Sequence, residues 1–381
     1  MRIAHLGDLH LGKVVNNYSM IEDQRYMLEQ VTDRILKKEA DMVVIAGDVY
    51  DRPQPSAEAV TLLNDFVTEL SRAGIDVFII AGNHDSGERL EFASDLLSDM
   101  RVHIAGTWKG KLACTDLSDR YGILHVWQLP YLRPSMVNRY IEDETKKVST
   151  YNDAVKYAVS TAQINPIERN ILIAHQFVTG TPVDPDGSEE INVGGMDNVD
   201  ASAFAPFDYT ALGHIHEAQS AGSDIIRYCG TPLKYSFSEA KKDRSFTMVN
   251  LEEKGIYRIS LITIRPLHEM ETIEGTFKEI TQTDFVKEHS DNYVKIVLKD
   301  EEDIPDAVSI LRSMYPRLMQ MDYDNARTRT DDTVLPEAQV QKDPSELFEE
   351  FYESRNNVPM SEEQREYIRN LMEEIQKEGQ E

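Results

Sequence analysis

The sequence predicts an α/β layered domain, then a small α+β module, then two terminal helices. Three observations predict it. Over residues 1–250 short apolar runs alternate with amphipathic stretches, as when helices cover a sheet. Over about 255–320 the pattern changes to strand-like alternation around one helical segment. Past residue 342 two capped amphipathic stretches close the chain.

Five apolar runs read as strands of the first domain: Arg2–Gly7, Met42–Ala46, Val77–Ala81, Ile171–Ala174 and Tyr209–Leu212. A helical stripe from Met20 carries Gln24, Met27, Leu28, Val31, Ile35 and Leu36. A second runs from Ser56 to Arg72, with Val60, Leu63, Phe66, Val67 and Leu70 expected inward. Tyr257–Ile264 and Tyr293–Leu298 alternate as strands of the small module. Asp303–Tyr315 reads as its helix and Arg317–Tyr323 as its last strand. Residues 322–342 have few apolar side chains and no period, which predicts a linker. The first terminal helix has Asp343 as N-cap, Pro344 at its first position, Glu346, and a face of Leu347, Phe348, Phe351 and Tyr352. The second starts at Ser361 with Gln364 completing a capping box, and Ile368, Leu371, Met372 and Ile375 form its stripe. The domain boundaries expected are 1–255, 256–321, a linker 322–342, and 343–381.

The 381 residues are 41% hydrophobic, enough for a sizeable core. No apolar run reaches the roughly 18 residues of a transmembrane helix, and the first residues lack a signal-peptide layout. Two distant cysteines, Cys114 and Cys229, fit neither a disulfide framework nor a zinc cluster. A cytoplasmic location is the expectation. The net charge of −27 argues against a chain that holds nucleic acid by its own field. Bound divalent cations, or a basic partner, would have to offset it.

Chemistry-bearing residues follow one strand after another. Asp8-Leu9-His10 follows the first strand, Gly47-Asp48 the second, and Gly82-Asn83-His84-Asp85 the third. His175 ends the fourth, and Gly213-His214-Ile215-His216 ends the fifth. In open α/β sheets ligands gather at the carboxyl ends of strands, so all five groups can share one cleft. Asp, Asn and His supply hard and borderline donors, which suits Mn²⁺, Mg²⁺ or Fe²⁺. The i, i+2 spacing of Asp8 and His10, repeated in His214 and His216, aims both side chains to one side. A carboxylate such as Asp48 can bridge two ions, and a pair of ions about 3.5–4 Å apart can drive an in-line phosphoryl displacement. Gly7, Gly47, Gly82 and Gly213 are expected to let the backbone turn and approach phosphate.

This ordered set resembles the calcineurin-like metallophosphoesterase superfamily. The opening His5–Lys13, Gly47–Pro53, Phe207-Asp208-Tyr209 and Gly230-Thr231-Pro232-Leu233-Lys234-Tyr235-Ser236 are similar to its SbcD branch. Leu9 departs from the pattern, since many members carry tryptophan there. The resemblance implies a β-sandwich flanked by helices, with a small capping domain and C-terminal helices. It implies one metal on Asp8, His10 and His216, another on Asn83, His175 and His214, and Asp48 between them. It implies that His84 acts on the scissile phosphate, in a site holding two Mn²⁺. Asp51 and Asp85 either orient these groups or serve only turns and caps. His5, His103, His125, His268 and His289 have no motif around them and read as structural or solvated.

The branch also implies a DNA nuclease, exonucleolytic and hairpin-opening, that pairs as a homodimer and works with an SbcC-type coiled-coil ATPase. Residues 343–381 hold twelve acidic and four basic side chains. Their aromatic faces need cover, which suits docking on that ATPase. Two other readings compete: a phosphatase or cyclic-nucleotide phosphodiesterase of small substrates, and a scaffold whose metals are structural.

Overall fold

This computed structural model describes residues 1–178, 181 and 197–325, with ten further positions between 348 and 368. All five expected strands form, as Arg2–Leu6, Met42–Ala46, Asp76–Ile80, Arg169–His175 and Tyr209–Gly213. Two six-stranded sheets face one another. The first runs in the order Tyr257–Ile264, Arg244–Leu251, Arg2–Leu6, Met42–Ala46, Asp76–Ile80, Val102–Ala105. The second runs Gln219–Ser220, Ile226–Tyr228, Tyr209–Gly213, Arg169–His175, Gly122–Leu129, Ala113–Asp119. Ile3, Val44, Phe78 and Val249 of one sheet pack against Val126, Ile171, Ile173 and Ala211 of the other. Met42–Ala46 is buried at every residue, because a central parallel strand is covered on both faces.

Helices cover the outer faces. Ile21–Lys37 and Ala57–Arg72 lie on the first sheet, and Tyr151–Ser160 on the second. The result is an α/β sandwich flanked by helices, the architecture the motif resemblance implied. Two stripe positions differ from expectation. Val60 is exposed, because the buried stripe of the second helix runs through Ala59, Leu62, Leu63, Phe66 and Leu70, and Leu36 is exposed because that of the first runs through Met27, Leu28, Val31 and Ile35. Gln24 is buried, and for a polar reason given below.

The small module is a three-stranded parallel sheet, Met270–Gly275, Tyr293–Leu298 and Leu318–Tyr323, backed by the helix Ala307–Met314. Ile273, Ile296, Leu298, Leu311 and Leu318 form its core. Tyr257–Ile264, grouped with this module from its alternation, instead pairs along its whole length with Arg244–Leu251 in the first sheet. Buried Asp23 accepts from the Tyr293 hydroxyl at 2.9 Å and faces His268 Nδ1 at 3.0 Å, joining the module to the first helix.

Residues 324–381 form a second unit. Ser361 N–H donates to Gln364 Oε1 at 2.9 Å and Gln364 N–H to Ser361 Oγ at 3.3 Å, the expected capping box. Arg365 pairs with Glu349 at 2.6 Å. The expected linker beyond Asn325, the Asp343 cap and Leu371, Met372 and Ile375 lie outside the described residues.

Candidate metal centre

The five strand ends bring their side chains together. Asp8 N–H donates to Gly47 O at 3.0 Å, and His10 N–H to Asp48 O at 2.9 Å, so the first two loops are laced by backbone. His214 N–H donates to Asp8 Oδ1 at 2.9 Å, which brings in the fifth strand. His84 N–H donates to Asp48 Oδ1 at 2.9 Å, which brings in the third. Asp8, His10, Asp48 and His214 all carry positive φ, from 44° to 105°. Four non-glycine residues in that region at one place mark stored strain of the kind found at functional sites.

The glycines make room for side chains rather than for phosphate. A Cβ on Gly82 would overlap Asp48 Oδ1, and a Cβ on Gly47 would overlap the His175 ring. Gly47 also sits at φ 85°, where L side chains are strained.

Ring nitrogens, carboxylates and the Asn83 amide crowd together in the cleft. The Ala46 carbonyl, 2.7 Å away, takes the Nδ1 proton of His175. In its neutral form His175 then presents an Nε2 lone pair 3.0 Å from Asn83 Oδ1 and 3.3 Å from Asp48 Oδ2. His214 Nδ1 lies 3.1 Å from the same Asn83 oxygen. His10 Nε2 and His216 Nε2 face each other at 3.1 Å. Asp8 Oδ2 and His10 Nδ1 are buried with no hydrogen-bond partner. Asp8, His10 and His216 have donor atoms within 4.8 Å of one another, and so do Asp8, Asp48 and His175. Buried acceptors in this arrangement need a cation among them.

Where no cation sits among these groups, protons are drawn to Asp8 and His175 in its place. Burial pushes the Asp8 carboxyl up to about 6, Asp48 adds to the shift, and His175 opposes it. Burial would lower His175, but Asp48 beside it raises the imidazole to about 9. Burial works against the Asp48 anion too, yet His175 holds it far below the usual range. Burial depresses His10 and takes His214 down to about 3, so both stay neutral, the form that ligates a metal. The seven predicted donors thus fit a pair of divalent ions, with no thiolate among them.

His84 sits at the edge of this group, half-buried, with its ring 4.9 Å from that of His10. Its Nδ1 lies 3.1 Å from the Asp51 carbonyl, which takes the proton there, and one of its ring nitrogens lies within 4.8 Å of donor atoms of His10 and Asp48. Asp51 itself pairs with Lys13 at 2.7 Å and lies 3.7 Å from His10 Nδ1. Asp85 accepts from the backbone N–H groups of Val49, Tyr50 and Gly82. Both aspartates therefore bind site loops together.

Sequence reasoning missed a set of buried braces. Gln24 Nε2 donates to His10 O at 2.7 Å and to the Tyr235 hydroxyl at 2.9 Å, while Gly12 N–H donates to Gln24 Oε1. Tyr235 donates to Leu9 O at 2.7 Å and packs edge-on against His10. Buried Glu239 pairs with Arg244 at 2.6 Å and stands 3.8 Å from His216 Nδ1, and Arg244 donates to His216 O. The Gly230–Ser236 run therefore underlies the site, a role no spacing announced. Leu9 is fully buried in the core beside Leu6 and Leu11. The remaining histidines find local partners. His5 bonds Tyr209 and Leu212 O, His103 stacks on Phe78, His125 bridges Asp116 and Glu168, and His289 faces Glu271.

No helix among the described residues is long and apolar enough to cross a membrane. Residues 1–218 match the calcineurin-like phosphoesterase family model, and residues 266–356 match the type 5 capsule protein repressor C-terminal domain model. Over 379 residues the chain is 30% identical to the D subunit of the nuclease SbcCD of Staphylococcus epidermidis, covering 98% of each chain. Solved structures are similar at lower identity. A dimetal phosphatase from Danio rerio is 14% identical, with TM-score 0.41 over 69% of this chain and 96% of that one. TT1561 of Thermus thermophilus is 12% identical, with TM-score 0.38 over 68% and 98%. With the sandwich, the strand-end donors and the match across nearly its whole length, the chain belongs to the SbcD family of calcineurin-like phosphoesterases.

Proposed function

We propose that the chain is a two-metal DNA nuclease, acting as exonuclease and hairpin- or end-opening endonuclease in DNA repair and recombination. The convergence of Asp8, His10, Asp48, Asn83, His175, His214 and His216 carries this reading. One ion would be held by Asp8, His10 and His216, the other by Asn83, His175 and His214. Asp48 would serve both, since its Oδ2 lies 3.3 Å from His175 Nε2 and 3.9 Å from His10 Nε2. Mn²⁺ suits the mixed imidazole and carboxylate set, with Mg²⁺ and Fe²⁺ as alternatives. When bound, such ions supply Lewis-acid charge and an activated water.

The protein's own groups do the rest. His84, its Nδ1 donating to Asp51 O, would in its imidazolium form carry a second proton on Nε2, and that proton would stabilise the phosphoryl oxygen or pass to the leaving oxygen. No side-chain nucleophile is needed, and Cys229, buried with its thiol pushed up, offers none. The Ala46 carbonyl keeps His175 in one tautomer.

The net charge of −27 makes a partner part of the proposal. An SbcC-type coiled-coil ATPase bound through residues 343–381 would supply DNA-binding surface. A homodimer would form through the exposed apolar side chains Val60, Phe92, Leu96 and Met100 beside the second helix, 45–81% accessible.

The test is cleavage of an end-labelled DNA hairpin with Mn²⁺, Mg²⁺ or EDTA, with and without the ATPase. Cleavage should require metal and fall about 10²–10⁴-fold in His84→Ala. Hydrolysis of nitrophenyl esters with none of DNA, even with the ATPase, would instead establish a small-molecule phosphoesterase.

A further inference from the structure

A second cavity opens beside the metal centre. It encloses about 400 Å³, and Asn83, a donor of the centre, forms part of its wall. The opposite wall comes from the segment Trp108–Tyr140. Tyr131 N–H donates to Ala81 O at 2.8 Å, which pins this wall to the loop that carries Asn83. The Tyr131 ring also stands edge-on to His175, 6.2 Å between centroids. Gly87 and Gly106 cross so closely that a Cβ on either would overlap the other's carbonyl, so the cavity's shape depends on two bare backbones.

The chemistry of its rim is unlike the rest of this acidic chain. Arg133 lies 5.6 Å over the Tyr131 ring, at one end of the short helix Pro134–Asn138, and Arg139 follows its other end. Neither arginine has a carboxylate partner among the described residues. Of the two acidic side chains lining the cavity, Asp85 already accepts three backbone N–H groups, which leaves Glu88 as the other. Tyr140, 48% exposed, presents a second aromatic face. Guanidinium groups beside aromatic rings are the elements that hold a nucleotide, charge to phosphate and ring to base.

We propose that this cavity binds the nucleotide flanking the scissile phosphate. Its base would lie against Tyr131 and Tyr140, and its own phosphate against Arg133 and Arg139. The assignment rests on the phosphodiesterase reading and adds to it a subsite for the neighbouring nucleotide. It gives a chain of net charge −27 two guanidinium groups beside the metal centre.

The test compares two substrates with manganese: the p-nitrophenyl ester of thymidine 5′-monophosphate, which carries a nucleoside, and bis(p-nitrophenyl) phosphate, which carries none. The wild-type protein should favour the nucleotidyl ester in kcat/KM. In Arg133→Ala/Arg139→Ala, and separately in Tyr140→Ala, that preference should fall at least tenfold through KM, with melting temperature checking the fold. An unchanged preference overturns the proposal. A second readout needs no turnover. The chain has two tryptophans, so Trp127→Phe leaves Trp108 in the cavity wall as the sole indole. Its emission in EDTA should respond saturably to a thymidine dinucleotide, and the double arginine variant should bind at least tenfold more weakly. Equal affinity, or no response, contradicts the pocket. Should the wild type hydrolyse neither ester, the phosphodiesterase reading fails, and the Trp108 titration still decides the pocket.

Discussion

Asp85 coordinates nothing in this account, yet it holds the third loop against the second. Its two oxygens accept from Gly82, Val49 and Tyr50 N–H at 2.9–3.1 Å. Removing the carboxylate strands three backbone donors, each costing about 1–3 kcal/mol if left unpaired. Asp85→Ala should therefore weaken metal binding about 10–100-fold, as loss of an outer brace does. Calorimetric titration with Mn²⁺ checks this, and wild-type affinity in the variant would reduce Asp85 to a turn residue. At this scale the candidate donors were legible because Asp, Asn and His recur after successive apolar runs. Gln24 and Tyr235 were not legible, because they act across more than two hundred residues, nor were Arg244, which acts through a backbone atom, and Glu239, which has no motif around it. Asp51 and Asp85 were open between caps and braces, and only the hydrogen bonds distinguish the two.

The first strand shows how an element carries both core and site. Ile3 faces the inter-sheet core while Leu6 packs under the helices, and the strand then delivers Asp8 to the cleft. His5 is fully buried within it, between the Tyr209 hydroxyl and Leu212 O, and burial lowers its pKa to about 3. The folded state therefore favours neutral His5, while the unfolded chain protonates near its ordinary value of about 6.5. Between those values the unfolded state binds more protons, so stability should fall as pH drops from about 7 toward 4. Melting temperature against pH measures the slope, and His5→Gln should flatten it. An equal slope in the variant would place the acid sensitivity elsewhere. The five site-bearing strands were legible as uninterrupted apolar runs. Val102–Ala105, Ala113–Asp119, Gly122–Leu129 and Arg244–Leu251 were not picked out. Their solvent-facing or ion-paired residues interrupt the apolar pattern, as Arg169–Asp119 does at the second sheet's edge. Met270–Gly275 is short and half acidic or exposed, which hid it in the same way.

At the scale of the whole molecule, the acidic charge and the exposed apolar side chains both point outward to partners. Phe92, Leu96 and Met100 are 81%, 73% and 62% exposed, more than a lone monomer surface usually leaves together. Light scattering during size exclusion should find a dimer that Phe92→Glu converts to a monomer. Removing residues 343–381 should keep the dimer and metal-dependent hydrolysis of a small phosphodiester but abolish capture of the ATPase. Loss of hydrolysis with capture would contradict a separable docking segment. The proposed hydrolysis rests on the paired metal centre, and metal stoichiometry with electron paramagnetic resonance measures it most directly. A paired centre should hold two Mn²⁺ per chain with a spin-coupled signal, and lose that coupling in Asp48→Ala. A single ion, or two uncoupled ions whose signal ignores Asp48→Ala, would contradict it.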